Sequence, residues 1–384
     1  MSSRQAEVIV LGGGTMGTAT GWALARQGVN VVVLEQFQHV HSNGSHGGKH
    51  RIFRHAYAEG ALYVPWTLEA DRLWSELEER TGSSILNRIG CIDISAPGYH
   101  RARDAYNSAT THGVEAEWLT GADVNARWPI WTLPDDREVC YGPQAGYLNV
   151  ANGLNALASE FRAAGGLLLD NTPVTSWSAS DSGVEVVTDS GTWTAERLVI
   201  SAGAWSIHLL RDLGIPLEVR RKPVMWFEVD ADHAALARPD AMPVFISDDD
   251  HGEFYGIPEE DFPAVKVGIH SGGESVDPNT IRRTVDSADS EQDVLPFIRR
   301  SLRGFTGQVL DTSVCMYTVT PDEDFVLDRH PEWSRVTLAA GFSGHGFKFT
   351  PKVGEHLAEL TTSETARPIP DFALARFAGV AVKA

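Results

Sequence analysis

The residues with the most chemical reach fall into a few tight groups. Gly12-x-Gly14-x-x-Gly17 follows the apolar run Val8 to Leu11 and opens an Ala-rich segment that continues to Gln27. At this spacing the first glycine makes a turn, the second lets backbone approach a pyrophosphate, and the third lets helix and strand pack closely. Phosphates would rest on the helix N-terminus, where unpaired N–H groups and the helix dipole favour anions. A second apolar run, Val29 to Leu34, ends at Glu35, the place from which a carboxylate bonds ribose hydroxyls. Glu35 would repel a 2′-phosphate, so the pattern disfavours NADP and leaves FAD and NAD open.

Other reactive types are more scattered. Cys91, Cys140 and Cys315 are odd in number and far apart, which gives neither a disulfide framework nor a zinc spacing. His39, His41, His46 and His50 are dense, but no carboxylate or cysteine accompanies them at ligand spacing, so no metal is expected. Taken singly, Arg51, Arg54, Lys266 and Lys348 read as solvated charges. Tyr255, His270 and Tyr317 read singly as packed side chains with one hydrogen bond each.

The elements that must position these groups are legible in outline. The start is a β-α-β unit. Trp66, Ala70, Leu73, Trp74 and Leu77 recur at helical spacing, with Gly82 as a stop signal. Val184, Val186 and Trp193 alternate around Asp189-Ser190-Gly191 as a hairpin, and Leu198 to Ile200 then runs into a second glycine turn at Ser201-Ala202-Gly203. Pro216 to about Gly268 shows β-type alternation without the β-α-β rhythm and predicts a separate antiparallel sheet. Val336 to Ala340 is a strand, a glycine loop follows, and Pro351 sits where the first turn of a helix accepts proline. Arg367 to Ala384 reads as a tail laid over the surface.

These segments predict an α/β protein: a Rossmann-type dinucleotide domain (1–85, 146–215 and 321–384) and an α+β substrate domain on an antiparallel sheet (86–145 and 216–320). A chain of 384 residues is sized for that and can bury a large cofactor. Net charge of -19 argues against nucleic acid or an anionic lipid surface as a partner. No apolar stretch is long enough to span a bilayer, and the short polar Met1 to Ala6 leaves no space for a signal peptide, so a cytoplasmic location is expected.

Whole segments resemble the monomeric sarcosine oxidase and N-methyltryptophan oxidase family, within the D-amino-acid-oxidase-like flavoproteins. They are Asn43 to His46 continuing to Arg51-Ile-Phe-Arg54-His55-Ala-Tyr57, Lys266 to His270, Cys315-Met-Tyr317-Thr-Val-Thr-Pro-Asp322, and Ala339 to Phe349. The resemblance runs to about residue 360 and implies FAD, with a thioether from Cys315 to the flavin 8α-methyl. That bond needs a thiolate, so the pocket should favour the ionised thiol. A late glycine loop suits the pyrimidine end of the flavin, which needs backbone donors such as those of Gly344, His345 and Gly346. A nicotinamide-dependent dehydrogenase has no need of that loop.

The resemblance also places Thr15, Met16, Ser45, His46, Val174, Ala202, Gly203 and Trp205 on the cofactor, and brings Arg51, Arg54, Lys266 and Lys348 together as a local cationic pocket. Arg54 and Lys348 would hold a substrate carboxylate; Tyr255, His270 and Tyr317 would line the pocket. The implied reaction is hydride transfer from an N-methyl carbon to flavin, hydrolysis of the imine to aldehyde and primary amine, and reoxidation by O2 to H2O2, with Lys266 stabilising the negative charge formed on O2. The implied partners are an amino acid derivative and O2, and the implied state is a monomer. Sarcosine, N-methyltryptophan, a cyclic imino acid or a larger N-substituted amino acid all fit. In the family loop a His-His-Gly-acid-Thr-Arg pattern is usual, whereas here it reads His46-Gly47-Gly48-Lys49-His50-Arg51, one histidine fewer and one charge reversed. Asp248 to Asp250 add acid near the expected pocket, where they would accept a longer or more basic amine.

Overall fold

A computed structural model describes residues 4–292 and 294–378. Residues 8–11 of the strand Arg4–Leu11 and all of Val31–Leu34 are buried. They pair in parallel, Val8 opposite Val31 and Leu11 opposite Leu34. Continuous apolar runs of this kind belong to strands covered on both faces.

Around them forms an eight-stranded sheet in the order Val174–Ser180, Gly183–Thr188, Gly191–Ile200, Arg4–Leu11, Val31–Leu34, Leu167–Leu169. Val336–Ala340 adds in parallel to the end of Gly191–Ile200 and carries Val326–Arg329 on its other edge. The predicted hairpin is present, with Thr188 opposite Gly191.

The helix Thr15–Ala25 is buried at every position after the first. It lies against the helix Thr350–Thr362, which does have Pro351 in its first turn. The approach is close because a Cβ on Gly354 would lie 2.6 Å from the Ala19 carbonyl carbon. Tyr63–Thr81 is the helix signalled by the Trp66 to Leu77 spacing, and Gly82 ends it in the left-handed conformation at φ 69°.

The second sheet has nine strands. Glu218–Val229, Val244–Asp249, Gly252–Pro258 and Ala264–Ile269 pair antiparallel among themselves, as the 216–268 pattern predicts. One junction differs: Val244–Asp249 runs parallel to Cys91–Ser95. Those strands come from distant parts of the chain, so no tight turn dictates their direction. The long strand Phe305–Val319 pairs with Glu218–Val229, setting Cys315 opposite Lys222 and Tyr317 opposite Arg220. A small three-stranded sheet pairs His50–Phe53 with Gly146–Asn149, setting Arg51 opposite Leu148.

The stretch from Arg367 is more than a surface tail. Phe372 is fully buried against Tyr63, Trp66 and Phe325, because an aromatic ring gains more from the core than the chain loses by being pinned. Residues 379–384 of that stretch lie outside the described residues.

Candidate active site

The glycines after the first strand have three different reasons to be glycine. A Cβ on Gly12, which has φ +96°, would fall 2.6 Å from the Ser201 carbonyl oxygen, and one on Gly17 would fall 1.8 Å from the Gly12 carbonyl oxygen. A Cβ on Gly14 would meet nothing nearer than His46 at 3.9 Å. The first and third are thus fixed by the fold, whereas the space at Gly14 opens into a cavity of about 390 Å³.

Glu35 shapes the same loop: its carboxylate accepts from Gly13 N–H at 2.8 Å and Phe37 N–H at 2.9 Å. Thr15, Met16, Ser45, His46, Val174, Ala202, Gly203 and Trp205 line this cavity with Gly12, Gly14 and Glu35. His46 Nε2 is buried without a hydrogen-bond partner. Burial, reinforced by His41 and Arg51, brings the His46 imidazole down to about 3, so it is neutral there. A long groove with a glycine-lined, helix-capped middle and an orphaned ring nitrogen fits an extended dinucleotide such as FAD.

At its far end the groove meets a smaller cavity of about 70 Å³. Arg51, Tyr317, Gly344 and Phe347 belong to both walls. Gly344, at φ +83°, leaves no space for a Cβ, which would strike the Tyr317 ring at 2.3 Å. The His345 N–H is not free as expected, since it donates to the Phe342 carbonyl at 3.0 Å in the turn itself. Gly344 and Gly346 remain in the groove wall. The His345 side chain instead joins Tyr57 Oη at 2.7 Å to the Glu323 carbonyl at 3.0 Å.

Cys315 is buried in the smaller cavity, its thiol donating to the Ser45 carbonyl at 3.0 Å, with Arg51 Nη2 3.4 Å from Sγ. Arg51 also donates to the carbonyls of Ser45, Gly47 and His50 and so fixes the loop around the sulfur. Lys266 stands behind that loop, donating to the Gly48 and His50 carbonyls at 2.9 and 2.7 Å. Burial, with Arg51 adding to it, pushes Lys266 well below an ordinary lysine. Contrary to expectation, Lys266 lines neither cavity.

Arg54 and Lys348 do line the smaller cavity, with Tyr255, His270 and Tyr317. His270 Nδ1 and Tyr317 Oη are 3.2 Å apart. Burial brings the His270 imidazole below its usual value and pushes Tyr255 up to about 12, so both are neutral. Lys348 Nζ donates to the His345 carbonyl at 2.8 Å and Tyr57 Oη at 3.2 Å. Burial and then Arg54 lower it to about 7. Arg54 Nη2 meets both oxygens of Glu59 at 2.5 and 2.7 Å, and its buried Nε has no partner.

The expected cationic pocket is therefore a mixed one: Glu59 and Glu253 share its lining. Buried cations cost several kcal/mol each, about 3–5 when left unpaired, so the fold delivers them with carboxylates. Asp248 to Asp250 are not in the lining. Asp249 pairs with Arg300 and Asp250 accepts from Tyr99. Lys49 likewise points away from the groove, 3.4 Å from Glu259 and over the Phe262 ring. Among the described residues no group of His, Cys, Asp or Glu is arranged to hold a metal, and no helix is long and apolar enough to cross a membrane.

Sequence reasoning missed Glu59, Arg101, Glu253 and Lys222. The last donates to the carbonyls of His270, Ser271 and Gly272 and so holds the His270 loop under Tyr317. Glu253 was discoverable in principle, since alternation on one strand puts it on the face of Tyr255.

The sequence pattern of the FAD dependent oxidoreductase family DAO matches residues 7–360. The chain belongs to that family. It is an FAD-dependent oxidoreductase, and the nicotinamide alternative is set aside. A monomeric sarcosine oxidase of Bacillus sp. (strain NS-129) is 39% identical over 375 residues, 96% of each chain. An N-methyl-L-tryptophan oxidase of Yersinia pestis (strain Pestoides F) is 34% identical over 374 residues, 97% of this chain and 99% of that one. The solved structure of NikD, described as an unusual amino acid oxidase essential for nikkomycin biosynthesis, superposes with a TM-score of 0.84 at 25% identity. It covers 97% of this chain and 98% of its own.

Proposed function

We propose that the protein oxidises a secondary amine bearing a carboxylate, an N-methyl amino acid of the sarcosine type, and that its FAD is attached through Cys315. The carrying observation is that the dinucleotide groove and the charged cavity meet at Arg51, Tyr317 and Gly344 with the Cys315 thiol beside them. The names of the two relatives above support the same substrate class. Division into a cofactor domain (1–85, 146–215, 321–384) and a substrate domain (86–145, 216–320), acting as a single chain, belongs to the same proposal.

When bound, FAD supplies the two-electron acceptor for the carbon next to nitrogen and passes the electrons to O2 as H2O2. The residues do the rest. Arg54, through its unpartnered Nε, and Lys348 Nζ receive the carboxylate and fix the amine over the junction of the cavities. The same cations favour the neutral amine, which has the lone pair that C–H cleavage needs. Tyr255, and Tyr317 with its His270 hydrogen bond, wall the reacting carbon from water. Arg51 holds the loop and sets its guanidinium 3.4 Å from the Cys315 sulfur. Lys266 Nζ, fixed by the Gly48 and His50 carbonyls in a buried position behind the loop, supplies the charge that stabilises negative charge formed on O2.

Acid precipitation tests the linkage: a yellow pellet is expected, and Cys315→Ser should leave the pellet colourless with FAD in the supernatant. Peroxide and formaldehyde should form together with sarcosine or another N-methyl amino acid. Peroxide without aldehyde from cyclic imino acids alone would move the substrate to that class.

A further inference from the structure

One wall of the smaller cavity is a row of alternating charges. Arg54 Nη2 holds Glu59, Glu59 Oε1 stands 3.6 Å from Arg101 Nη1, and Arg101 Nη2 reaches Glu253 Oε1 at 2.7 Å. Asp93, buried behind them, lies 3.5 Å from Arg101 and 4.0 Å from Arg54. Strand Gly252–Pro258 turns Glu253, Tyr255 and Ile257 to one face, as alternate positions must, and all three line the cavity. Arg101 is not in that lining, so Glu253 is the member of its pair that a ligand meets.

Both cavity carboxylates are ionised. Burial opposes the charge on Glu253, but the Arg101 guanidinium, 2.7 Å away, outweighs it and holds the group below the usual carboxylate value. Burial likewise opposes the charge on Glu59, and Arg54 and Arg101 hold it well below. A ligand whose carboxylate goes to Arg54 and Lys348 thus adds a further negative charge beside two fixed ones. A second positive group on the same ligand removes that repulsion.

We propose that Glu253, oriented by Arg101, sets substrate specificity, and that the preferred substrate is an N-methyl amino acid whose side chain carries an amine or guanidinium. The inference rests on the amine-oxidase reading above. The substrate carboxylate meets Arg54 and Lys348 at one end of the cavity, the reacting nitrogen lies at Tyr317 and Gly344, and the distal cation meets Glu253. The sequence places its obvious acidic run at Asp248 to Asp250, but the carboxylate that reaches the cavity is on the neighbouring strand.

The test uses the holoenzyme with α-N-methyl-lysine, its uncharged isostere N-methylnorleucine and N-methylglutamate, in both enantiomers, followed by anaerobic flavin bleaching and kcat/KM from peroxide release. N-methyl-lysine should exceed N-methylnorleucine by tenfold or more, and N-methylglutamate should be the poorest. Glu253→Gln should cut the lysine-to-norleucine ratio at least tenfold, mainly through KM, and Glu253→Arg should shift preference toward N-methylglutamate. A wild-type ratio near one overturns the proposal without recourse to any variant. So does Glu253→Gln slowing all three substrates equally, which would put Glu253 on the reacting ammonium. Bleaching by neutral N-methyl amino acids but not by cationic ones removes the specificity alone; failure of every N-methyl amino acid to bleach the flavin removes the amine-oxidase reading beneath it.

Discussion

The groove and the smaller cavity are built on opposite principles. The groove is made by backbone and by what is missing from it: Gly12, Gly14 and Gly17, a helix N-terminus, and a carboxylate that ties down its own loop. The cavity is made by charged side chains drawn from distant segments, with Arg54 paired to Glu59 and Arg101 to Glu253. A backbone site tolerates little change in shape, while a side-chain site tolerates shape and is sensitive to charge. Binding of a large, constant cofactor suits the first, and selection among small amines suits the second.

Gly17→Ala breaks the comparison most severely. Its Cβ would lie 1.8 Å from the Gly12 carbonyl oxygen, so a destabilisation of about 3 kcal/mol or more is expected, seen as a lowered melting temperature and loss of flavin. Gly14→Ala sharpens the point, because nothing in the protein is nearer than 3.9 Å. The fold should then keep its melting temperature in the absence of FAD while FAD binding is lost. If Gly14→Ala unfolds the protein as Gly17→Ala does, the two glycines are not distinguished by the ligand.

Next in size is Arg54→Met. Truncating one partner of a buried charge pair costs about 2–5 kcal/mol, so kcat/KM should fall about 30-fold or more, with Glu59 left only its 3.6 Å contact to Arg101. Lys266→Met should slow reoxidation by O2 about 100-fold, the scale of one lost electrostatic group, while anaerobic reduction changes only a few-fold. Equal slowing of both steps in stopped flow would remove Lys266 from the O2 step.

The smallest effect concerns pH. Lys348 is held at about 7 by burial and by Arg54. Its ammonium, the form that attracts a carboxylate, is present below that pH and lost above it. A carboxylic acid without an amine should therefore bind ever more weakly as pH rises past about 7, by at most about tenfold per unit, read from flavin difference spectra. In Lys348→Met that slope should flatten.

How legible each region is in the sequence follows from the same contrast. The glycine-lined middle of the groove depends on residues 8–35 and on glycine spacing, both local, so strand, loop, helix and Glu35 can be read directly. The cavity is only half legible. Resemblance identifies Arg54, Lys348, Tyr255, His270 and Tyr317, but no local pattern marks their partners, because Arg101 and Glu253 lie on separate elements and meet only in the folded protein. The acidic Asp248 to Asp250 run misleads for the converse reason. Its proximity in sequence to Tyr255 hides the fact that Asp249 and Asp250 pair with Arg300 and Tyr99. The Lys49 charge reversal also loses its force, since the side chain turns toward Glu259.

Anaerobic mixing of the holoenzyme with N-methyl amino acids and with the corresponding N-methyl amino amides tests most directly whether a carboxylate-bearing secondary amine is the reductant. The expected result is saturable bleaching of the flavin band by the acids, with one aldehyde per flavin and little reduction by the amides. Bleaching by the amides with an oxidised flavin in the presence of every acid would contradict it.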